Sequence, residues 1–156
     1  MKKILLCTLL AVLLPCCIFA HDFIVDGICY NITSEEERTV EVTCNEDEKY
    51  AIKRKFYKDV VFIPEKVNYA GKEYTVTAIG ESAFECNYEL LSVVMPNTIR
   101  SINKFAFNGC INLKSLTIPS GVNEIGDFAF MGLRSLEHLA VDCHNKTFDS
   151  RGDCNA

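Results

Sequence analysis

Apolar residues recur at fixed distances along the stretch between Ile79 and Val141. In three segments of this stretch an Ile is followed by Ala and Phe four and five residues later, and by Leu eleven residues later. Each position repeats every 23 residues, in the series Ile79, Ile102 and Ile125; Ala83, Ala106 and Ala129; Phe84, Phe107 and Phe130; and Leu90, Leu113 and Leu136. A constant period of this length is typical of a solenoid, in which each repeat forms one coil and buries its apolar side only against its neighbours.

Within each repeat, the pattern predicts a strand and a turn. Residues 92–95, 115–118 and 138–141 are short runs with apolar side chains at the second and fourth positions, which predicts strands with those side chains pointing inward. Proline ends the first two strands because it has no N–H for a ladder. The Ala-Phe pair predicts one helical turn. We therefore predict an α/β solenoid over residues 79–141, with parallel strands on one face, short helical turns on the other, and columns of Phe, Leu and Ile in the core.

These residues also carry a resemblance. The pattern I-G-x-x-A-F-x-x-C-x-x-L-x-x-V-x-I-P resembles the BspA-type leucine-rich repeat of bacterial secreted and cell-surface proteins. Cys110 occupies the Cys position of the pattern, whereas Asn87 and Leu133 replace it in the flanking repeats. Asn103 departs from the Gly that Gly80 and Gly126 match. The resemblance implies a protein-binding module that adheres to host extracellular-matrix proteins or to proteins of neighbouring cells.

Residues 1–20 have the features of a secretory signal peptide. Lys2 and Lys3 precede the apolar run 4–14, and Ala20 precedes the expected cleavage site before His21. The apolar run is too short to span a membrane, so we expect no transmembrane span in the mature chain. Lipid attachment at Cys16 or Cys17 is the competing interpretation, and it is disfavoured because the cysteines follow Pro15 and Cys16 rather than a small residue. The expected location is outside the cell or on its surface.

The flanks of the repeats differ from them in pattern. Residues 23–32 and 39–44 predict a β-hairpin in which Ile24, Ile28, Tyr30 and Ile32 share a face with Val40, Val42 and Cys44. Residues 60–64 resemble a repeat strand followed by Pro, and Gly71 predicts a hairpin turn after them. We interpret residues 21–78 as a β-rich N-terminal cap with an elongated zeroth coil. Residues 142–156 form a polar tail, either a C-terminal cap or the sign of a shortened relative.

Charge and cysteine content narrow the classes of partner. Residues 1–20 contain two basic and no acidic residues, so 14 basic and 21 acidic residues remain after them, a formal charge of −7. This balance argues against nucleic acid as a partner. Six cysteines remain, and an exported chain can oxidise them in 15 pairings. We expect thiols at Cys110, on a core position, and at Cys86, which aligns with Gly109 and Gly132.

Several short motifs are weak candidates for chemistry. Arg151-Gly152-Asp153 is a three-residue match to an integrin-binding motif, and we expect it to be incidental. Cys143, His144 and Cys154 lack the spacing of zinc ligands. The basic run between Lys49 and Lys58 suits a solvated edge strand better than an anion site. Since nucleophile, base and oxyanion elements do not fall at usable spacing, we predict no catalytic, metal or cofactor site and no enzyme activity.

The outward side of the repeat strands is the better binding candidate. Its side chains are small and include both polar and apolar types. They belong to Ser92, Val94, Ser115, Thr117, His138 and Ala140. Solenoids often recognise proteins on such a surface. The same positions also suit the solvated half of a strand with no ligand. The sequence therefore predicts an exported, non-enzymatic, adhesion-type binding module, with a structural spacer or assembly subunit as the alternative.

Overall fold

The computed structural model describes residues 21–44 and 57–149 of the chain, and the secondary structure within them consists of β-strands. The strands in chain order are β1 Phe23–Val25, β2 Ile28–Ser34, β3 Thr39–Thr43, β4 Asp59–Phe62, β5 Lys66–Tyr69, β6 Lys72–Ile79, β7 Leu90–Val94, β8 Ser101–Ile102, β9 Ser115–Ile118, β10 Glu124–Ile125 and β11 His138–Val141. In these described ranges, no helix is long and apolar enough to cross a membrane.

The strands form two sheets that continue from coil to coil. One sheet is fully parallel and has the order β11-β9-β7-β4. The other has the order β1-β2-β3-β6-β8-β10, with β5 paired to β6. In the parallel sheet Ser92 pairs with Ser115, and Ser115 pairs with His138, so each strand lies one 23-residue period beyond the last. The solenoid predicted from the repeats is confirmed.

The core columns of the solenoid are present. The ring of Phe107 stacks on Phe84 at a centroid distance of 5.1 Å and on Phe130 at 6.0 Å. The columns also contain four fully buried aliphatic side chains, those of Ile79, Ile102, Leu90 and Leu113. Burial falls in the last coil, where Ile125 and Leu136 are only partly buried and Leu139 is exposed. A coil needs a neighbour on each side to bury its apolar face, and within the described residues no coil follows this one.

The helical turns predicted opposite the parallel sheet are not observed in the described residues. Residues 81–86, 104–109 and 127–132 form successive tight turns instead. Each such segment has a left-handed residue near its start and another at its end, at the periodic pairs Ser82 and Cys86, Phe105 and Gly109, and Phe128 and Gly132. An α-helix cannot contain these conformations. The N–H groups of Phe84 and Phe107 donate to the carbonyls of Ala106 and Ala129 in the next coil, both at 2.8 Å.

The N-terminal segment contains antiparallel hairpins. β2 pairs with β3 as predicted, with Tyr30 opposite Val42 and Ile32 opposite Val40. The prediction that Ile24 shares their buried face is wrong, since Ile24 is 52% exposed. Left-handed residues at Asp26 and Gly27 form a turn that splits the first run into β1 and β2. The extra residues in this turn break the alternation on which the prediction relied.

Strand β4 and the β5–β6 hairpin link this segment to the repeats. β4 pairs in parallel with β7, which extends the repeat sheet by one strand. β5 and β6 form an antiparallel hairpin, and the predicted turn at Gly71 is confirmed. Its two turn residues, Ala70 and Gly71, both have positive φ, which suits the twist of a two-residue hairpin loop. β6 then pairs with β3 on one side and β8 on the other, so the two parts share one sheet.

Some sequence-based predictions fall outside the described residues. They are the signal peptide at 1–20 with Cys16 and Cys17, the basic residues Lys49, Lys53, Arg54 and Lys55, the tripeptide Arg151-Gly152-Asp153, and Cys154. From the basic run, Lys58 is described. Its Nζ lies 3.1 Å from Oε2 of Glu89 on the solvent-exposed surface, as expected for a solvated lysine.

Cys86 allows a test of the turn geometry. It holds a φ of 54° where the aligned positions have Gly109 and Gly132. Cys86→Gly removes the strain of a left-handed non-glycine residue, partly offset by the greater freedom of Gly in the unfolded chain. We expect a net gain of about 0.5–1 kcal/mol in the free energy of unfolding. Denaturant titration under reducing conditions measures it. Cys86→Ala keeps the Cβ, so this control should show no gain in the free energy of unfolding. Equal losses for both variants would contradict a strained left-handed conformation at residue 86.

Candidate protein-binding face

The predicted binding residues lie together on one surface of the parallel sheet, which we call the strand face. Ser92 and Val94 belong to β7, Ser115 and Thr117 to β9, and His138 and Ala140 to β11. Side chains alternate between the two sides of a strand, so these residues share one side. Val93, Leu116 and Ile118, which alternate with them, are buried in the core. The predicted inward and outward positions are therefore correct in the first two repeats.

The strand face contains short hydroxyl contacts and exposed apolar side chains. The hydroxyl groups of Ser92 and Ser115 lie 3.2 Å apart, and Ser92 Oγ also donates to the carbonyl of Ser115 at 3.4 Å. Thr117 and His138 are exposed, and Val94 is 48% exposed. The face can therefore offer hydroxyl groups, an imidazole and aliphatic surface to a partner.

Two further residues of this face were missed by the sequence analysis. Val60 pairs with Ser92 and Phe62 with Val94, so both continue the rows of the strand face onto β4. They are 43% and 68% exposed. The sequence was sufficient to predict both residues, because residues 60–64 resemble a repeat strand and its outward positions follow from the same alternation. Phe62 is the most exposed large apolar side chain of the face.

A shallow depression crosses one end of the strand face. It has a volume of 250 Å³ and is lined by residues that include Val94, Asn97, Thr117, Pro119 and Asp142. The depression adjoins the ends of β7 and β9, where Pro119 stops the ladder. Its lining mixes apolar and polar groups. Such a shape suits part of a protein surface better than an enclosed small molecule, because small-molecule sites bury most of the ligand.

A cluster at the start of the tail contains potential metal ligands. The ligand atoms of Asp142, Cys143 and His144 lie within 4.8 Å of one another, and Cys143 and His144 are exposed. Asp142 Oδ1 accepts a hydrogen bond from the backbone N–H of His144 at 2.8 Å and contacts its Nδ1 at 3.2 Å. The first of these lowers the pKa of Asp142. The three side chains already contact one another. They supply three potential metal ligands, whereas a closed structural zinc site has four.

The thiol of Cys110 has a structural role. It is fully buried, and its Sγ donates to the carbonyl of Phe84 at 2.9 Å. Burial raises the pKa of Cys110 to about 12. Because the thiolate is the reactive form, such a cysteine is inert as a nucleophile near neutral pH. The expected core position of this residue is confirmed.

Comparison with known protein families identifies the repeats. Residues 77–152 match the model of the BspA type leucine rich repeat region, in six copies. No curated protein matches the chain.

Three solved structures illustrate the similarity. A leucine rich cell surface protein from Faecalibacterium prausnitzii is 28% identical with a TM-score of 0.58, over 77% of this chain and 32% of that protein. A leucine-rich repeat protein from Bacteroides capillosus is 26% identical with a TM-score of 0.53, over 77% and 97%. The T. pallidum leucine rich repeat protein shares the fold at 20% identity with a TM-score of 0.59, over 77% and 53%. This chain thus spans about a third of the F. prausnitzii protein.

The 23-residue period, the stacked Phe column, the parallel strand sheet and the family match agree with one another. Residues 77–152 of this chain belong to the BspA-type leucine-rich repeat family of bacterial proteins.

Proposed function

We propose that this chain is an exported, non-enzymatic protein-binding module of the adhesion type, which recognises another protein through its strand face. The observation that carries the proposal is the exposed row of Phe62, Val94 and Thr117 on a continuous parallel sheet. Exposed aromatic and aliphatic side chains grouped on one surface are characteristic of interaction sites. Binding to a partner would remove them from water.

The chemistry of the face supports a protein partner. Among Val60, Phe62 and the six predicted residues, His138 is the one ionisable side chain. A surface with one imidazole and no lysine or arginine is poorly suited to neutralising phosphate groups, and the chain as a whole is acidic. Aromatic residues within a mixed, mostly neutral patch are instead typical of protein interfaces. We propose a host extracellular-matrix protein or a surface protein of a neighbouring cell as the partner class.

Export is supported by two separate observations. Residues 1–20 have the charge and apolar pattern of a signal peptide. The similar F. prausnitzii structure is described as that of a cell surface protein. We propose that the mature chain begins at His21 and acts outside the cell, where such partners are accessible.

Thr117→Arg tests the strand face. Thr117 is exposed at the centre of the face, so an arginine there obstructs a partner without entering the core. We expect the affinity for a matrix protein to fall by about tenfold or more. Met131→Arg is the matched control, because it adds the same charge at an exposed position on the turn side of the coil. Surface plasmon resonance against purified fibronectin, laminin and collagen measures both variants.

Two outcomes would contradict the proposal. Equal losses for Thr117→Arg and Met131→Arg would place the binding surface elsewhere. If the folded protein binds none of these matrix proteins and none of the surface proteins of intact neighbouring cells, the structural spacer is the better interpretation.

A further inference from the structure

A groove lies beside the outer edge of β4, away from the other strands of its sheet. It has a volume of 490 Å³, and its lining includes Val25, Ile28, Tyr30, Tyr57 and Phe62. One wall is β4 itself, and the other is the turn between β1 and β2. None of its lining residues belongs to β7, so the groove is on the side of β4 that faces away from the repeats. Most of its surface is apolar or aromatic.

The backbone of β4 also carries hydrogen-bonding groups on the side away from β7. Asp59 N donates to Glu89 O at 2.9 Å and Ile63 N to Val94 O at 3.0 Å, so residues 59, 61 and 63 face β7. Successive peptide groups of a strand point in opposite directions. The N–H and C=O groups of Val60 and Phe62 therefore face the groove. Within residues 21–44 and 57–149, β4 pairs with no strand except β7.

A buried hydroxyl group provides independent evidence for a ligand. Tyr30 lines the groove and is 0% exposed, and its OH has no hydrogen-bond partner among the described residues. Buried hydroxyl groups are nearly always hydrogen-bonded, because leaving one unsatisfied is costly. A tyrosine hydroxyl keeps its proton near neutral pH, and burial raises the pKa of Tyr30 further, so this hydroxyl can donate. The nearby hydroxyl of Tyr57, by contrast, accepts from Cys29 N and donates to Thr43 O.

We propose that this groove binds an extended segment of a partner polypeptide, which pairs with β4 as a fifth strand of the parallel sheet. Alternating N–H and C=O groups at strand spacing are matched by the edge of another strand, which is the basis of recognition by strand addition. An apolar side chain of the segment packs on Phe62 and Tyr57, and an acceptor of the segment receives the hydrogen bond of Tyr30. This site lies on the edge of the sheet. It shares Val60 and Phe62 with the strand face but includes no residue of β7, β9 or β11.

A peptide with the sequence of residues 57–64 is a suitable probe. The edge formed by its residues 59, 61 and 63 already pairs with β7 in the fold, and in the peptide it can pair with the outer edge of β4. We expect fluorescence anisotropy to show binding, and hydrogen exchange to show slower exchange of the Val60 and Phe62 amides. N-methylation of the peptide at the position of Val61 should weaken binding by about tenfold. The same modification at the position of Val60, on the opposite edge, should change it less than about twofold.

The outcomes that would overturn strand addition are specific. The first is no binding at millimolar peptide, and the second is an equal effect of the two methylated peptides. The third is slow exchange of the Val60 and Phe62 amides in the free protein, which would show that this edge is already paired. A dimer in analytical ultracentrifugation that Phe62→Asp dissociates would assign the edge to a second copy of the chain instead.

Tyr30→Phe tests the role of the hydroxyl group. The hydroxyl has no partner among the described residues of the free protein, so its removal should leave the thermal unfolding midpoint unchanged or raise it. Affinity for the peptide should fall by about threefold to tenfold. Unchanged affinity would overturn the hydrogen bond to the ligand. Thr117→Arg is the control on the strand face, and peptide binding that falls equally in this variant would overturn a separate site at the edge.

Discussion

Phe107→Ala is expected to lower the free energy of unfolding by about 3–5 kcal/mol, because it removes the central ring of the Phe column. The ring is fully buried in the middle coil and stacks on Phe84 and on Phe130. Its removal loses the transfer energy of the side chain and leaves a cavity between two rings that the backbone ladder holds apart. The loss is a large fraction of the total stability of a domain of this size, about 5–15 kcal/mol.

Thr117→Ala is the matched control for this prediction. Thr117 is in the same coil, but its side chain is exposed on the strand face. The free energy of unfolding should change by no more than about 0.5 kcal/mol. Urea titration followed by circular dichroism measures both variants. Equal small losses would mean that the stacked column does not hold the coils together.

Tyr57→Ala is expected to have a similar effect, about 3–5 kcal/mol, at the junction between the N-terminal segment and the repeats. The ring of Tyr57 lies 5.1 Å from that of Phe84 and extends the Phe column by one position. Its hydroxyl accepts from Cys29 N at 3.1 Å and donates to Thr43 O at 2.8 Å, which connects the column to the β2–β3 hairpin. We propose on this basis that residues 21–78 cap the solenoid.

Tyr57→Phe separates the two contributions. It keeps the ring but leaves a buried N–H and a buried C=O without their partner, so we expect a smaller loss of about 1–3 kcal/mol. Thermal unfolding of both variants gives the comparison. If Tyr57→Ala costs no more than Tyr57→Phe, the ring does not cover the first coil, and the cap proposal fails.

The sequence was sufficient to predict the repeat architecture, because one period sets both the local structure and the packing. Residues 23 apart, such as Phe84 and Phe107, occupy the same place in successive coils, and stacking brings them into contact. The alternation of apolar residues in 115–118 likewise predicts which side chains face the core. The members of the strand face followed from the same alternation, and Phe62 could have been included by applying it to β4.

Only the tertiary structure decided the features that depend on contacts between distant segments. The Ala-Phe pair suits a helix locally, but the N–H of Phe84 bonds to Ala106 in the next coil, so the backbone adopts turns with left-handed residues at Ser82 and Cys86. The groove beside β4 joins the turn between β1 and β2 to a strand about thirty residues later, and no local pattern predicts that proximity. Periodicity reports the interactions of a residue with its equivalents in neighbouring coils, whereas hydrogen bonds and grooves between unlike segments depend on where the folded chain places them.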